Sequence, residues 1–447
     1  MAGHERRISR LALACALVAG GQLAAGNAGA WDLYNNDNSF LKLNLDATYG
    51  WFSSQKSYYS VNGVPKKGRS TWQEGFVKLG LTGQGGLAQN SAIYAGGAIL
   101  SSGTWGDGDA GGYESGHERK TEWEDLYVGW KSGDLMPKLG KDGMDLSIGR
   151  QHLVIGEGFV INNDQFNYGD RYGKEFDRGG LYWLSARQSF AKTAIMRIGG
   201  DSGLRADVAW AQSDNMAQSN TSFALGNIEH ISNAGTYGFM FLRGLGVRDN
   251  DPFAYMSERN GMNLYNIRAS SKLGTDNFRL SGEYVWEDKK TPGSAGFVRA
   301  EYTFADASWK PTLTYRYSRF SKNYDPMFFG WSGKYGTWWQ GEVAGNYAGP
   351  FNQNAEVHHL GITVQPLESL TVGALYFDFR SLEKRNGFAN MSGRELDTYL
   401  EWKFADHYSI SPVVGLYDPS VSAANGGTQT TNSKPNLYTQ VTFSVSY

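Results

Sequence analysis

The sequence predicts an all-β fold: a transmembrane antiparallel β-barrel of about 18 strands, with short periplasmic turns and long extracellular loops. Three observations predict it. Apolar side chains recur at period two through many segments, the links between segments alternate between short and long, and the last segment is amphipathic and ends on an aromatic residue.

Residues 1–30 read as a signal peptide, with basic Arg6, Arg7 and Arg10, an apolar run from Leu11 to Ala19, and Ala28-Gly29-Ala30 as a small-residue cleavage signature. Removing those 30 of 447 residues leaves a barrel chain of 417, residues 31–447. The only cysteine, Cys15, lies in the leader, so the expected mature chain has neither disulfides nor cysteine metal sites.

After the leader no run approaches the roughly 18 apolar residues that a membrane helix needs. Aromatics are nonetheless 14% of the chain, with 26 Tyr and 14 Trp, while the mean hydropathy is −0.46. A membrane barrel accommodates both, because only alternate residues face lipid and aromatic girdles mark the two interfaces. The mature net charge of −4, from 39 basic and 43 acidic residues, argues against a nucleic-acid partner.

Residues 41–51 show the pattern plainly. Leu41, Leu43, Leu45, Ala47, Tyr49 and Trp51 form one face, against Lys42, Asn44, Asp46, Thr48 and Gly50 on the other. The same period predicts strands at 41–51, 72–83, 91–101, 121–131, 144–155, 192–199, 203–212, 221–230, 235–244, 262–272, 276–287, 295–304, 309–319, 354–365, 369–380, 393–404, 407–417 and 436–447. The segments 221–230 and 369–380 show it most weakly, and 176–188, with Asp177-Arg178-Gly179-Gly180, reads as loop.

Short links such as 200–202, 274–275, 305–308, 366–368 and 405–406 alternate with long ones at 52–71, 102–120, 156–191, 245–261, 320–353 and 418–435. An even strand count returns both termini to the periplasmic side. In the last strand Leu437, Val441, Phe443, Val445 and Tyr447 share one face. This terminal aromatic strand resembles the assembly signal of outer-membrane barrels, which implies the barrel-assembly machinery as a partner. Pro311 removes a ladder donor, which places it at the start of its strand.

Two stretches carry a more specific likeness: Leu146-Ser147-Ile148-Gly149-Arg150-Gln151 running into Gly156-Glu157-Gly158-Phe159, and Tyr324-Asp325-Pro326-Met327-Phe328-Phe329-Gly330-Trp331 followed by Tyr335-Gly336-Thr337-Trp338-Trp339-Gln340-Gly341-Glu342. With Glu124-Asp125-Leu126-Tyr127-Val128-Gly129-Trp130, these resemble the alginate export family of outer-membrane proteins across nearly the whole mature chain. The resemblance implies a monomeric barrel in outer-membrane lipid, with an arginine-rich lumen passing an acidic polysaccharide, loops occluding the pore, and periplasmic secretion partners.

Period two tests that lumen. It turns inward Lys42, Lys78, Lys131, Arg197, Arg205, Arg268, Arg279, Arg299, Arg316 and Lys403, and also Asp46, Glu74, Asp125, Asp145, Asp207, Glu283, Glu287, Glu301, Glu395, Asp397 and Glu401. Ten basic against eleven acidic residues is a balanced lumen, whereas a polyanion conduit calls for a positive excess. Pairing across strands, as of Arg279 and Glu283 with Arg299 and Glu301, is one outcome; arginines clustered at a constriction is the other. Strict alternation points Arg150 towards lipid, and a bulge near Gly149 would turn it inward.

Other motifs have plain backbone readings. Gly200-Asp201-Ser202-Gly203 looks like a protease nucleophile turn but falls in a predicted turn, where these residues are favoured anyway. His230 and Ser232 share a face, as in lipid-hydrolysing barrels, yet lie at a periplasmic link. Asp107-Gly108-Asp109 lacks the later glutamate of a calcium loop, and Gly83-Gln84-Gly85-Gly86, with no helix after it, reads as a turn. The aromatic loop 320–353 must pack somewhere; it is expected to plug the mouth, with Trp331, Tyr335, Trp338 and Trp339 available for sugar stacking. No catalytic residue, cofactor or metal is expected. The expected function is a channel of the alginate-export type; the alternatives are a general porin or small-solute uptake channel and, more distantly, an outer-membrane lipid hydrolase.

Overall fold

The computed structural model describes residues 30–36, 38–58, 68–248, 254–330, 340–385 and 388–447. Residues 1–29 of the expected leader and the aromatic candidates Trp331, Tyr335, Trp338 and Trp339 lie outside these. The strands are β1 Trp31–Asn36, β2 Ser39–Ser54, β3 Ser70–Gly86, β4 Ala92–Gly106, β5 Arg119–Lys131, β6 Met144–Gln151, β7 Phe190–Ile198, β8 Gly203–Gln212, β9 Ser222–Ser232, β10 Gly235–Gly246, β11 Asn263–Ser271, β12 Phe278–Asp288, β13 Gly293–Thr303, β14 Thr312–Phe320, β15 Ala355–Leu367, β16 Leu370–Ser381, β17 Gly393–Phe404, β18 Tyr408–Pro419 and β19 Asn436–Ser446.

From β2 onward each strand pairs antiparallel with the next, and β19 returns to β2 from Ser446↔Asp46 to Tyr438↔Ser54. The result is a closed antiparallel barrel of 18 strands, β2 to β19. Closure leaves no open edge in lipid, where an unpaired backbone group costs several kcal/mol. The short β1 pairs with the start of β2, Trp31↔Leu43 to Asn36↔Ser39, along the edge where β19 runs out. Trp31 stacks on Tyr447 at 4.7 Å, so β1 prolongs the last strand end to end. Six residues with two asparagines are too few for the periodic pattern, and the sequence reading missed this strand.

All eighteen predicted segments are strands, the two faintest included, and 176–188 is not one. The differences lie at the ends. Predicted 144–155 stops at Gln151, because Gly149 takes φ 132 and the β6–β7 register slips there. Predicted 309–319 begins at Thr312, after Pro311 and after Trp309 and Lys310 at φ 65 and 44. Gly83-Gln84-Gly85-Gly86 is not a turn: it continues β3, pairing Gln84 with Phe40 and Gly85 with Ile93.

Outward side chains such as Leu41, Val77, Leu79, Ile148, Val208, Ile267 and Val298 are exposed all round the wall. An apolar belt this continuous is stable only against lipid. The chain is an outer-membrane multi-pass β-barrel; no helix among the described residues is long and apolar enough to cross a membrane.

Inward residues divide by height. In the extracellular half Phe52, Trp72, Glu74, Leu242, Val285, Phe320, Phe377 and Glu395 are buried, whereas towards the periplasm Lys42, Asn44, Asp46, Thr82, Glu229 and Ser270 stay half-exposed. Two inserted loops fill the upper half. The loop after β6 contributes buried Leu153, Phe159, Ile161 and Leu181; the loop after β14 contributes Tyr324, Phe328, Val343 and Tyr347. The two loops meet where Asn162 N donates to Phe328 O at 2.7 Å and Phe328 N to Val160 O at 3.1 Å. The expected aromatic plug is present, and it has a second component in 152–189.

Wall carboxylates anchor these loops. Glu74 accepts the backbone N–H of Leu184 at 2.8 Å, Glu124 that of Gln188 at 2.6 Å, and Glu395 those of Val343 and Ala344 at 2.7 and 2.8 Å. Irregular loop backbone inside a barrel needs such partners, since buried amides left unpaired cost about 1–3 kcal/mol each.

Candidate functional site: the charged lumen below the plug

Six arginines line one wall: Arg197 on β7, Arg205 on β8, Arg268 on β11, Arg279 on β12, Arg299 on β13 and Arg316 on β14. Cross-strand partners lie level with each other, so the pairing fixes their neighbours. One row runs Asp145↔Arg197↔Asp207, and another Arg205↔Glu229↔Gly238↔Arg268↔Glu283.

Along these rows the signs alternate and the groups pair. Arg197 reaches Asp145 at 3.7 Å and Asp207 at 3.9 Å, and Arg205 reaches Asp207 at 3.4 Å. Arg268 passes over Gly238 to Glu229 at 2.5 Å. It can do so because Gly238 has no side chain; a Cβ there would stand 2.8 Å from the guanidinium carbon.

The third row breaks the alternation, since Arg299 lies opposite Arg316, which lies opposite His359. Like charges directly opposed destabilise a sheet. The inserted loop compensates: Glu157 accepts from Arg299 at 2.6 Å and stands 3.7 Å from Arg279, while Arg299 also meets Glu301 at 3.2 Å. Gly156 and Gly158 at φ 61 and 80 bend the backbone into this finger, and a Cβ on Gly156 would press to 3.0 Å on Arg268. Burial alone would push the Glu157 carboxyl up, but Arg299, Arg279 and Arg316 outweigh it and hold the group below its usual range.

Water reaches this row unevenly. The side chains of Arg279 and Glu157 are 49% and 31% exposed, whereas Arg316 is only 2% exposed and lies 3.5 Å from Gln340 of the upper plug. His359, across from it, stacks on Phe377 at 4.5 Å. The arrangement can therefore exchange one carboxylate for another at Arg279 and Arg299, whereas Arg316 braces the plug.

Several predicted partners differ. Glu283 pairs with Asn266 at 2.7 Å rather than with Arg279 or Arg299, and Arg279 turns to the loop carboxylate. Lys42 sits apart, 3.6 Å from Asp32 of β1 at the periplasmic rim. Arg150 faces neither lipid nor this row: beyond the bulge it bonds Asp214 at 2.5 Å, and Asp214 meets Arg178, which meets Asp164. Arg197, Arg205 and Asp207 form one paired group on β7 and β8, and Arg299 pairs with Glu301 on β13 with Arg316 opposite it on β14.

Sequence reasoning missed Glu157 as a site residue, although a charge between two glycines inside a long link is a visible signal. The remaining motifs resolve structurally. Ser232 Oγ donates to Gly235 O at 2.9 Å in a hairpin turn. The Asp109 carboxylate takes backbone N–H groups of Gly111 and Glu114, both at 2.7 Å. His152 stands 3.5 Å from Asp125 and 4.0 Å from Glu124, but Glu124 is engaged by Gln188 and Ser189 and has Arg187 at 3.9 Å, an unfavourable setting for a cation.

No known family profile matches the chain, and no curated protein does. In fold it is similar to Pseudomonas aeruginosa OccK5 (OpdH), with TM-score 0.56 and 10% identity over 91% of this chain and 98% of that one. It is also similar to P. aeruginosa OccK7 (OpdD), TM-score 0.54 and 12% identity, and to Acinetobacter baumannii OccAB4, TM-score 0.54 and 11% identity, with the same coverages. At such identities the likeness shows the fold.

Proposed function

We propose that this chain is an outer-membrane channel for small solutes, with a modest preference for anions set by the arginine wall. The observation that carries the reading is Glu157, a loop carboxylate held by Arg299 and Arg279 where the half-exposed periplasmic lumen meets the plug. A small anion can displace one carboxylate from two guanidiniums, and charge-assisted, fork-shaped bonds make that exchange favourable. The similarity in fold to the Occ proteins supports this reading over the alginate-export one. So does the pairing of Arg205, Arg268 and Arg299 with nearby carboxylates, since close opposite charges leave little field to draw a polyanion.

The chain works as a monomer and is assembled through its last strand, whose Tyr447 exchanges backbone hydrogen bonds with Leu45 at 2.8 and 2.9 Å. The test is planar-bilayer recording with small acids and with uronate oligomers as probes. Modest anion selectivity, with small acids reducing the current and oligomers inert, is the expected result. Block by oligomers alone would restore the polysaccharide reading.

A further inference from the structure

Above the apolar belt, the outer surface of the barrel changes character abruptly over β14 to β17. On β16 the outward residues run Leu370, Val372, Ala374 and Tyr376 and then switch to Asp378 and Arg380. On β14 they run Leu313, Tyr315 and Tyr317 to Arg319, and on β17 Leu396 is followed by Arg394. Outward positions step by about 6.6 Å along a strand, so these charges stand one step above the tyrosine girdle, at the headgroup level of the outer leaflet.

Their pairing also fixes direction. Arg319 lies opposite Glu356, which lies opposite Arg380; Arg394 lies opposite Asp378 on one side and Asp418 on the other. Asp378 splints both neighbours, accepting from Arg380 Nε at 3.1 Å and Arg394 Nε at 3.3 Å. Because each arginine is held through Nε, its two terminal amino groups point away and have no protein partner among the described residues. The side chains are 63% and 69% exposed. Glu356 is taken up by His358 at 3.7 Å, and His358 by the Tyr315 hydroxyl at 2.9 Å. Elsewhere on this rim Arg119 is taken up by the carbonyls of Thr104 and Glu118, and Arg243 by Gly261 O and Asn263 Oδ1.

We propose that the outward rim of β14–β17, centred on Arg380 and Arg394, is a binding site for the phosphate groups of an outer-leaflet glycolipid. Splinted guanidinium forks match phosphate oxygens pairwise, which a lysine cannot do. The apolar residues and tyrosines directly beneath would take the acyl chains, and a free phosphate ion would use only the upper half of the site.

The experiment uses the full barrel purified in detergent, with lipopolysaccharide as the probe and retained glycolipid per barrel as the readout. Two good charge-assisted contacts correspond to a loss of about tenfold or more in retention for Arg380→Ala with Arg394→Ala. Arg380→Lys with Arg394→Lys, which keeps the charge and guards against misfolding, should fall between, and Arg243→Ala should match wild type. Equal retention by the double alanine variant, or equal retention of dephosphorylated glycolipid by wild type, would overturn the proposal. Complete displacement by millimolar inorganic phosphate would overturn it as well, by assigning the site to a free anion.

Discussion

Glu157 and Arg299 are separated by 142 residues in the chain and by 2.6 Å in the lumen. The contact joins an extracellular loop to the barrel wall and offsets part of the arginine charge below the plug. In Glu157→Gln, Arg279 and Arg299 lose that charge, and anion preference should rise by about fivefold in permeability ratio, the equivalent of about 1 kcal/mol in a watery lumen. Reversal potentials across a salt gradient measure it. Because the Glu157 carboxyl is held low, wild-type selectivity should stay constant from pH 8 to pH 5 and turn more anionic only as acid finally protonates the group.

Arg299→Ala should move the reversal potential the other way, towards cations, since it exposes Glu157 and Glu301 together. Arg316→Ala should move it less, because that side chain is buried against the plug. Equal shifts in the two variants would contradict the placement of Arg316 as a brace.

The upper plug should respond to pH through Glu342, whose carboxyl burial pushes up to about 8 against the pull of the Trp183 indole bond. A carboxyl raised in the folded state stabilises most below its unfolded value, near 4.3, and that contribution is lost as pH rises through the folded one. Conductance should therefore be lowest near pH 5 and increase towards pH 9 as the loop loosens. Glu342→Gln should flatten the profile at the low-conductance end.

Arg259 and Asp325 form a fully buried two-point pair, both contacts 2.7 Å. Breaking it in Asp325→Asn leaves a buried guanidinium unbalanced, at a cost of about 3–5 kcal/mol. The loss should appear as protease cleavage within 324–347 and higher conductance, with the barrel itself still heat-modifiable on gels. Deleting 324–347 outright should raise conductance further.

Ser202→Ala and Ser232→Ala should leave conductance and selectivity unchanged, since Ser202 is exposed in a turn and Ser232 bonds only its own hairpin. A measurable lipid hydrolysis by wild type that disappears in Ser232→Ala would favour the hydrolase alternative instead.

The sequence by itself determined the strands. Lipid on one side and the lumen on the other impose period two on every crossing, so 203–212 and 393–404 are legible to the residue. It also pointed to many of the charges that face inward, because parity decides that without any contact being known, but it passed over Glu229, the partner of Arg268. Parity failed where the backbone leaves the ladder: at Gly149, where a bulge redirects Arg150; at the β5 bulge, where Glu124 turns away from lipid beside Asp125; and at β1, which is too short to show a period.

What only the tertiary structure decided is which charge meets which. Cross-strand neighbours depend on register, and register between strands as far apart in sequence as β2 and β19 is a property of closure. The loops depend on it further, because nothing local to Gly156-Glu157-Gly158 says that it descends to Arg299. That placement comes from wall carboxylates such as Glu74 and Glu124 anchoring the far end of the same loop, and from the need to separate Arg299 and Arg316, which the closed sheet sets face to face.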